Sequence, residues 1–223
     1  MNSLDSSQVS NLAEKRKKIS TKQRILDSAT HLFSMKGYTE TTIREIASLI
    51  GVTEASIYNH FPSKNSILEY ILEEYSLLVS SNFFRQEKLS ELKCNPTVDE
   101  ILSCVELVYP DGKAEYYAKK LYVILQEQHR NPIVRSFVSE CLILSTEHIF
   151  LNIINRLKEL EVLRADTDPD FWVKIFSSLI YTSASRMLLG IGCCLPSFAE
   201  MDLMRDMCSI MLKTCGAGNI QGF

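Results

Sequence analysis

From residue 20 onward, apolar side chains recur at steps of three and four residues, the spacing that gathers them on one face of an α-helix. Ile25, Leu26, Ala29, Leu32 and Phe33 make the first stripe, in a helix that starts near Ser20 or Thr21 and ends at Gly37. Thr42 can cap a second helix whose N3 residue is Glu45, a capping box, and Ile43, Ile46, Ala47 and Ile50 then share a face. Gly51 closes that helix, because glycine adopts the left-handed conformation beyond a last turn without penalty. Val52 can plug the gap between helices, and Thr53 is a good N-cap for a third, over residues 54–60, which buries Ile57 and Phe61. That helix turns Glu54, Ala55, Ser56, Tyr58, Asn59 and His60 mostly outward.

The pattern continues as helices to the end of the chain. Ser63 caps a fourth helix of about twenty residues carrying Ile67, Leu68, Ile71, Leu72, Tyr75, Leu78 and Val79. Pro96 and a Thr97/Glu100 capping box open another, which ends near Tyr109-Pro110-Asp111-Gly112, and one more runs from Lys113 to His129. After the Asn131-Pro132 break a long α-helix is predicted from Ile133 to Leu160. Asp168 then suits an N-cap, with Pro169 at N1 and Asp170 against the positive end of the helix dipole. The last two helices are predicted over Pro169–Leu189 and Glu200–Cys215, and the first of them is apolar on more than one face. Helices apolar that far round need partners on two sides, their own domain and a second copy of the chain, with Ser177, Ser178, Ser183, Ala184 and Ser185 permitting close approach. No segment alternates convincingly as a strand would, so the fold class is all-α.

Residues 41–64 therefore read as a helix-turn-helix with the required tight Gly turn, and the polar outer face of its second helix suits a DNA major groove. An ordinary αα-corner in a helical enzyme has the same turn pattern, and Tyr58 and His60 also fit half-buried core positions. Across the wider stretch from Thr21 to Leu68 stand Ile25-Leu26, Ala29, Leu32-Phe33, Gly37, Thr41-Thr42, Ile46-Ala47, Gly51-Val52, Ser56-Ile57-Tyr58, His60-Phe61 and Lys64. In these positions together the stretch resembles the N-terminal domain of the TetR family of bacterial transcriptional regulators.

That resemblance implies three N-terminal helices with the third in the major groove. By position, Thr53, Glu54, Ala55, Ser56, Asn59 and His60 would face bases or the groove wall, and Thr42, Tyr58 and Lys64 would hold phosphates. Glu54 departs from the small, basic or amide side chain often found there; a carboxylate repels phosphate but can accept from cytosine N4. The resemblance also implies a homodimer through the last two helices, on a double-stranded operator with two-fold symmetry. It further implies a C-terminal domain around a small-molecule effector, whose binding moves the reading heads through the fourth helix and relieves repression.

Charge is divided in a way that fits this reading. Residues 1–66 carry nine basic and six acidic side chains, a net of +3, in a chain of net −3, so the remainder carries −6. A cationic end on an acidic body suits a protein that presents one face to DNA and argues against one coated in nucleic acid. Residues 1–19 form a polar arm without apolar periodicity, and its Lys15–Lys18 run either lies on phosphates or a minor groove or is a solvated tail. It has no apolar signal region, and the apolar stretch 171–195 is interrupted by Lys174 and Arg186, so a cytoplasmic protein without a membrane span is expected. Seven cysteines without a C-x-x-C pair read as reduced fillers, with adjacent Cys193-Cys194 the candidate thiol sensor.

Other chemistry is weak. Asp166-Thr167-Asp168-Pro169-Asp170 begins like a calcium loop, but Phe171 stands where Gly is needed and Ser177 where Glu is. No metal site, cofactor or catalytic set is expected. An effector pocket is expected from Tyr109, Tyr116, Tyr117, Tyr122, Gln126, His129, Cys141, Ser145, His148, Phe176 and Ser183, which would give an apolar cavity with a few polar tips; ordinary core packing is the competing account. The expected division is an arm at 1–19, a helix-turn-helix DNA-binding domain at 20–66, a helical effector-binding and dimerisation domain at 67–215 and a tail at 216–223. The alternative is a helical enzyme or small-molecule carrier in which residues 41–64 are structural.

Overall fold

The computed structural model describes residues 20–82, 84–105, 113–186, 188 and 198–217. The N-terminal arm, Tyr109 and the Cys193-Cys194 pair lie outside the described residues, as does the tail beyond 217.

Local sequence signals set the first four helices. In α1, Thr21–Lys36, the Ser20 hydroxyl accepts from the Gln23 N–H at 3.2 Å, and the Gly37 N–H closes the helix on the Phe33 carbonyl at 2.9 Å. Helix α2, Ile43–Ile50, begins with the expected capping box: Thr42 Oγ1 accepts from the Glu45 N–H at 3.2 Å while Glu45 Oε2 accepts from the Thr42 N–H at 2.8 Å. Gly51 ends it at φ 69° and ψ 39°, left-handed as anticipated. Helix α3, Glu54–Tyr58, is capped by Thr53, whose hydroxyl accepts from the Ser56 N–H at 3.2 Å. Before α4, Lys64–Asn82, Ser63 and Ser66 cap each other, each hydroxyl accepting from the other's backbone N–H.

Six more helices follow among the described residues: α5, Gln86–Glu91; α6, Val98–Leu102; α7, Ala114–Glu127; α8, Pro132–Glu159; α9, Pro169–Arg186; and α10, Phe198–Cys215. Helix α6 has its Thr97/Glu100 box but soon tightens into a 3₁₀ turn, Ser103–Val105. Short α5 carries no side-chain cap and buries only Leu89. The fold is all-α. Among the described residues the one extended pairing is an isolated antiparallel bridge of Leu163 with Gly216, beside which the Arg164 N–H bonds the Cys215 carbonyl at 2.8 Å. At the start of α9 the Asp170 N–H bonds Asp168 Oδ1 at 3.0 Å, the cap expected there.

Apolar packing forms two cores. The first joins α1–α4 to α7 and the start of α8, through Ile25, Phe33, Ile46, Ile57, Leu68, Ile71, Leu125, Val134 and Val138 among others. The second joins α5 and α6 to the rest of α8, α9 and α10, around Leu102, Phe150, Ile154, Trp172, Phe176 and Met211. Helix α8 serves both, and there it departs from the continuous α-helix that its spacing predicts. Residues Val138–Leu144 are π-helical. Val134 and Val138 point into the first core, Ile149, Phe150, Ile153 and Ile154 into the second, and the wider π turn lies between them and rotates the apolar stripe. The Ser145 and Thr146 hydroxyls also donate to the carbonyls of Glu140 and Leu142, at 3.0 and 2.6 Å. By length and composition α8 could cross a membrane; Ile149, Phe150, Ile153, Ile154 and Leu157 are buried within the protein, whereas Ile133 and Leu144 are exposed.

Candidate nucleic-acid interface

Two apolar side chains hold α3 in place. Ile57 is fully buried and Phe61 nearly so, and removing one such side chain from water is worth about 1.5–3 kcal/mol. With those two turned inward, Thr53, Glu54, Ala55, Tyr58, Asn59 and His60 are exposed and Ser56 is half-buried. Tyr58 keeps 49% of its surface, so the half-buried core reading of Tyr58 and His60 does not hold. All seven but Ala55 are polar, and they are carried by a helix anchored from behind.

The residues expected on phosphates are placed differently from one another. Thr42 is exposed, and its hydroxyl both accepts from the Glu45 N–H and donates to Glu45 Oε2 at 2.9 Å. The Lys36 ammonium reaches the same Glu45 carboxylate and, with the Thr42 hydrogen bonds, holds it down to about pKa 2. Lys64 turns inward: its ammonium donates to the carbonyls of Tyr38, Thr39 and Thr41 at 2.7, 3.2 and 2.8 Å and stands 4.4 Å from the Tyr38 ring centroid. Burial pushes its pKa down, against the pull of Glu127 and Glu40. Its geometry ties the N-terminus of α4 to the α1–α2 loop, with all three donors directed at protein.

Basic residues that sequence spacing did not single out brace the same surface. Arg24 donates to the Ile50 carbonyl at 2.5 Å, at the end of α2, and the Lys22 ammonium lies 3.8 Å from the Tyr70 ring centroid. Behind them runs a partly buried polar seam. The Tyr116 hydroxyl donates to Glu74 Oε2 at 2.7 Å and accepts from Gln23 Nε2 at 2.9 Å, and the fully buried Lys120 bonds the same Glu74 oxygen. Farther along, buried Glu127 accepts from the Tyr38 N–H at 3.1 Å. Lys120 on an otherwise apolar stripe was the one sequence signal for this seam. Its partner lies 46 residues away, beyond the reach of helical periodicity.

Among the described residues, the structure does not gather the ten expected effector residues other than Tyr109 into one cavity. Tyr109 lies outside the described residues, and Tyr116 belongs to the polar seam with Tyr117 edge-on to it at 5.1 Å. His129, Ser145 and His148 are exposed, Cys141 lies 3.8 Å from the Ser76 hydroxyl, and Tyr122, Gln126 and Ser183 are half-buried. Phe176 stacks on Phe150 in the second core, beside an apolar void of about 10 Å³, room for one water at most. Helical spacing put these residues on helices; it could not say which faces meet. Cys104 and Cys208 are buried, which pushes their thiols to about 11 and about 12 and keeps them protonated and unreactive near neutrality.

Comparison with known proteins falls on the same region. Residues 25–71 match the family described as bacterial regulatory proteins, tetR family. A probable HTH-type transcriptional regulator, YttP of Bacillus subtilis, is 40% identical over 58 residues, 26% of this chain and 28% of that protein. The biofilm operon icaADBC negative transcriptional regulator IcaR of Staphylococcus aureus is 50% identical over 48 residues, 22% of this chain and 26% of that protein. The chain thus matches little more than a quarter of the length of these curated relatives. Solved structures agree in fold over far more of it. PfmR of Thermus thermophilus aligns with a TM-score of 0.59 and 22% identity over 85% of this chain and 97% of that one. Salmonella enterica GusR aligns with a TM-score of 0.58 and 18% identity over 90% and 99%.

Proposed function

We propose that this chain, whose residues 25–71 match the TetR family of bacterial regulatory proteins, is a transcriptional regulator of that family, not an enzyme, whose homodimer binds a palindromic DNA operator. The observation that carries this reading is the outward polar face of α3, from Thr53 to His60, held from behind by Ile57 and Phe61. Asn59 and His60 supply donors and acceptors for base edges, Glu54 accepts from cytosine N4, and the Tyr58 hydroxyl donates to phosphate. Thr42 meets phosphate at the N-terminus of α2, and Lys64 does so by exchanging a loop carbonyl for a phosphate oxygen.

The dimer forms through α9 and α10. Phe171, Leu203 and Ile210 are 55, 46 and 45% exposed there, beside exposed Ser178 and Thr182, which leaves an apolar and small-residue face for a second copy. Residues 1–19 act as the arm, 20–66 as the reading head and 67–215 as the effector-binding and dimerisation body, followed by the tail at 216–223. The protein works in the cytoplasm as a repressor, as the Staphylococcus relative named a negative regulator supports, and a small apolar effector releases it. Selection of genomic fragments by purified wild type and Tyr58→Ala, at one stated salt concentration, tests this. A short palindrome recovered by wild type alone is the expected result; no enrichment by a folded dimer would overturn it.

A further inference from the structure

The partly buried seam beneath the reading head has a geometry that apolar packing does not require. Lys120 is fully buried, and a buried ammonium is tolerated only where a partner meets it; here the Glu74 carboxylate does, with the Tyr116 ring centroid 4.3 Å away. A buried ion pair is a poor source of stability compared with well-packed apolar side chains, but it accepts few alternative arrangements. Tyr116 adds direction, since its hydroxyl donates to Glu74 and accepts from Gln23, whose amide also donates to Asp27 at 2.8 Å. One point thus ties α1, through Gln23, to α4, through Glu74, and to α7, through Tyr116 and Lys120.

A second point lies at the other end of α1. Glu127, the last residue of α7, takes the Tyr38 N–H two residues beyond α1. Start meets start and end meets end, so α1 and α7 run parallel and are pinned at both ends. A helix pinned once can swing about that point; pinned twice, it keeps its tilt. The pins are 15 residues apart along α1 and its C-cap, roughly 22 Å at helical rise, so a tilt of only about 9° about one end moves the other by the ~3.4 Å rise of one base pair.

We propose that Gln23, Tyr116, Glu74 and Lys120 are positioning residues that, with Glu127, fix the tilt of the reading head and so set the half-site spacing the dimer accepts. The inference rests on the proposed dimeric, palindrome-reading function. It assigns these residues no contact with DNA. Tyr116→Phe removes the bridging hydroxyl while keeping the ring, Gln23→Leu removes the α1 end of the bridge, and Glu115→Ala, an exposed neighbour paired only at the surface with Lys119, is the control.

The test uses the full chain and the operator selected by wild type, with synthetic duplexes whose half-sites are one base pair closer or farther apart, and a single half-site duplex. Wild type and Glu115→Ala discriminate between spacings by at least about tenfold, whereas Tyr116→Phe and Gln23→Leu discriminate by less than about threefold with single half-site affinity unchanged. Full discrimination retained by both bridge variants overturns the proposal. So does an equal loss at every spacing and on the half-site accompanied by a lower melting temperature, because that marks a structural role alone. A wild type indifferent to spacing overturns the dimeric reading and this inference together, which separates that failure from the first.

Discussion

Glu127, at 1% exposure, accepts the Tyr38 backbone N–H across 89 residues of sequence, so the loop that orients α2 is hydrogen-bonded to the last residue of α7. Glu127→Ala leaves that N–H with a cavity in place of its acceptor, at a cost of about 1–3 kcal/mol. Hydrogen exchange should quicken first at residues 37–41, and equal protection of this loop in the variant and wild type would refute the link.

Two glycines next to the reading head should respond unequally to Ala. Gly51, at φ 69° and ψ 39° with open space around its would-be Cβ, faces only the left-handed penalty, about 1–2 kcal/mol. Gly37, at φ 88° and ψ 160°, lies in a region almost closed to other residues, and a Cβ there would also touch Glu127 Oε1 at 3.6 Å. Urea midpoints should therefore fall further for Gly37→Ala than for Gly51→Ala, and Gly51→Asn should be the mildest of the three.

The Glu45 carboxylate has a folded-state pKa of about 2, set first by Lys36 and then by Thr42. A depressed pKa stabilises the folded state above the ordinary carboxylate range and loses that contribution as pH falls from there toward about 2. Urea midpoints of wild type and Glu45→Gln measured from pH 6 to pH 2 should converge as pH falls through this window. A constant gap would show that the charge on Glu45 is not the source.

Tyr58→Ala should separate binding from folding. Its ring is about half exposed, so stability should change by no more than about 0.5 kcal/mol, while operator affinity measured by fluorescence anisotropy falls at least about tenfold. A parallel loss of both would return Tyr58 to a structural role.

What could be read from the sequence was local. The Thr42/Glu45 and Thr97/Glu100 boxes, the Gly51 turn, the Thr53 cap and the Asp168 cap each depend on residues within four positions, and the outward face of α3 follows once Ile57 and Phe61 are inside. What could not be read was long-range. Nothing near Lys64 in sequence shows that its ammonium meets carbonyls 23 to 26 residues earlier, and nothing near Phe176 shows that its ring stacks on Phe150 and not in a cavity. The π segment of α8 was hidden for the same reason: its apolar residues keep helical spacing while the core they face changes.

The first core has a consequence for recombination. Ile25, Phe33, Ile46 and Ile57 share it with Leu121, Ile124, Leu125 and Val134, so the surface that reads DNA and the helices behind it bury one another. A chimaera joined after residue 66 would set this head on foreign side chains, and the reciprocal one would leave Leu125 and Val134 facing a mismatched neighbour. The portable piece of this protein is discontinuous in sequence, and exchanging operator preference between relatives calls for replacing the outer face of α3 alone.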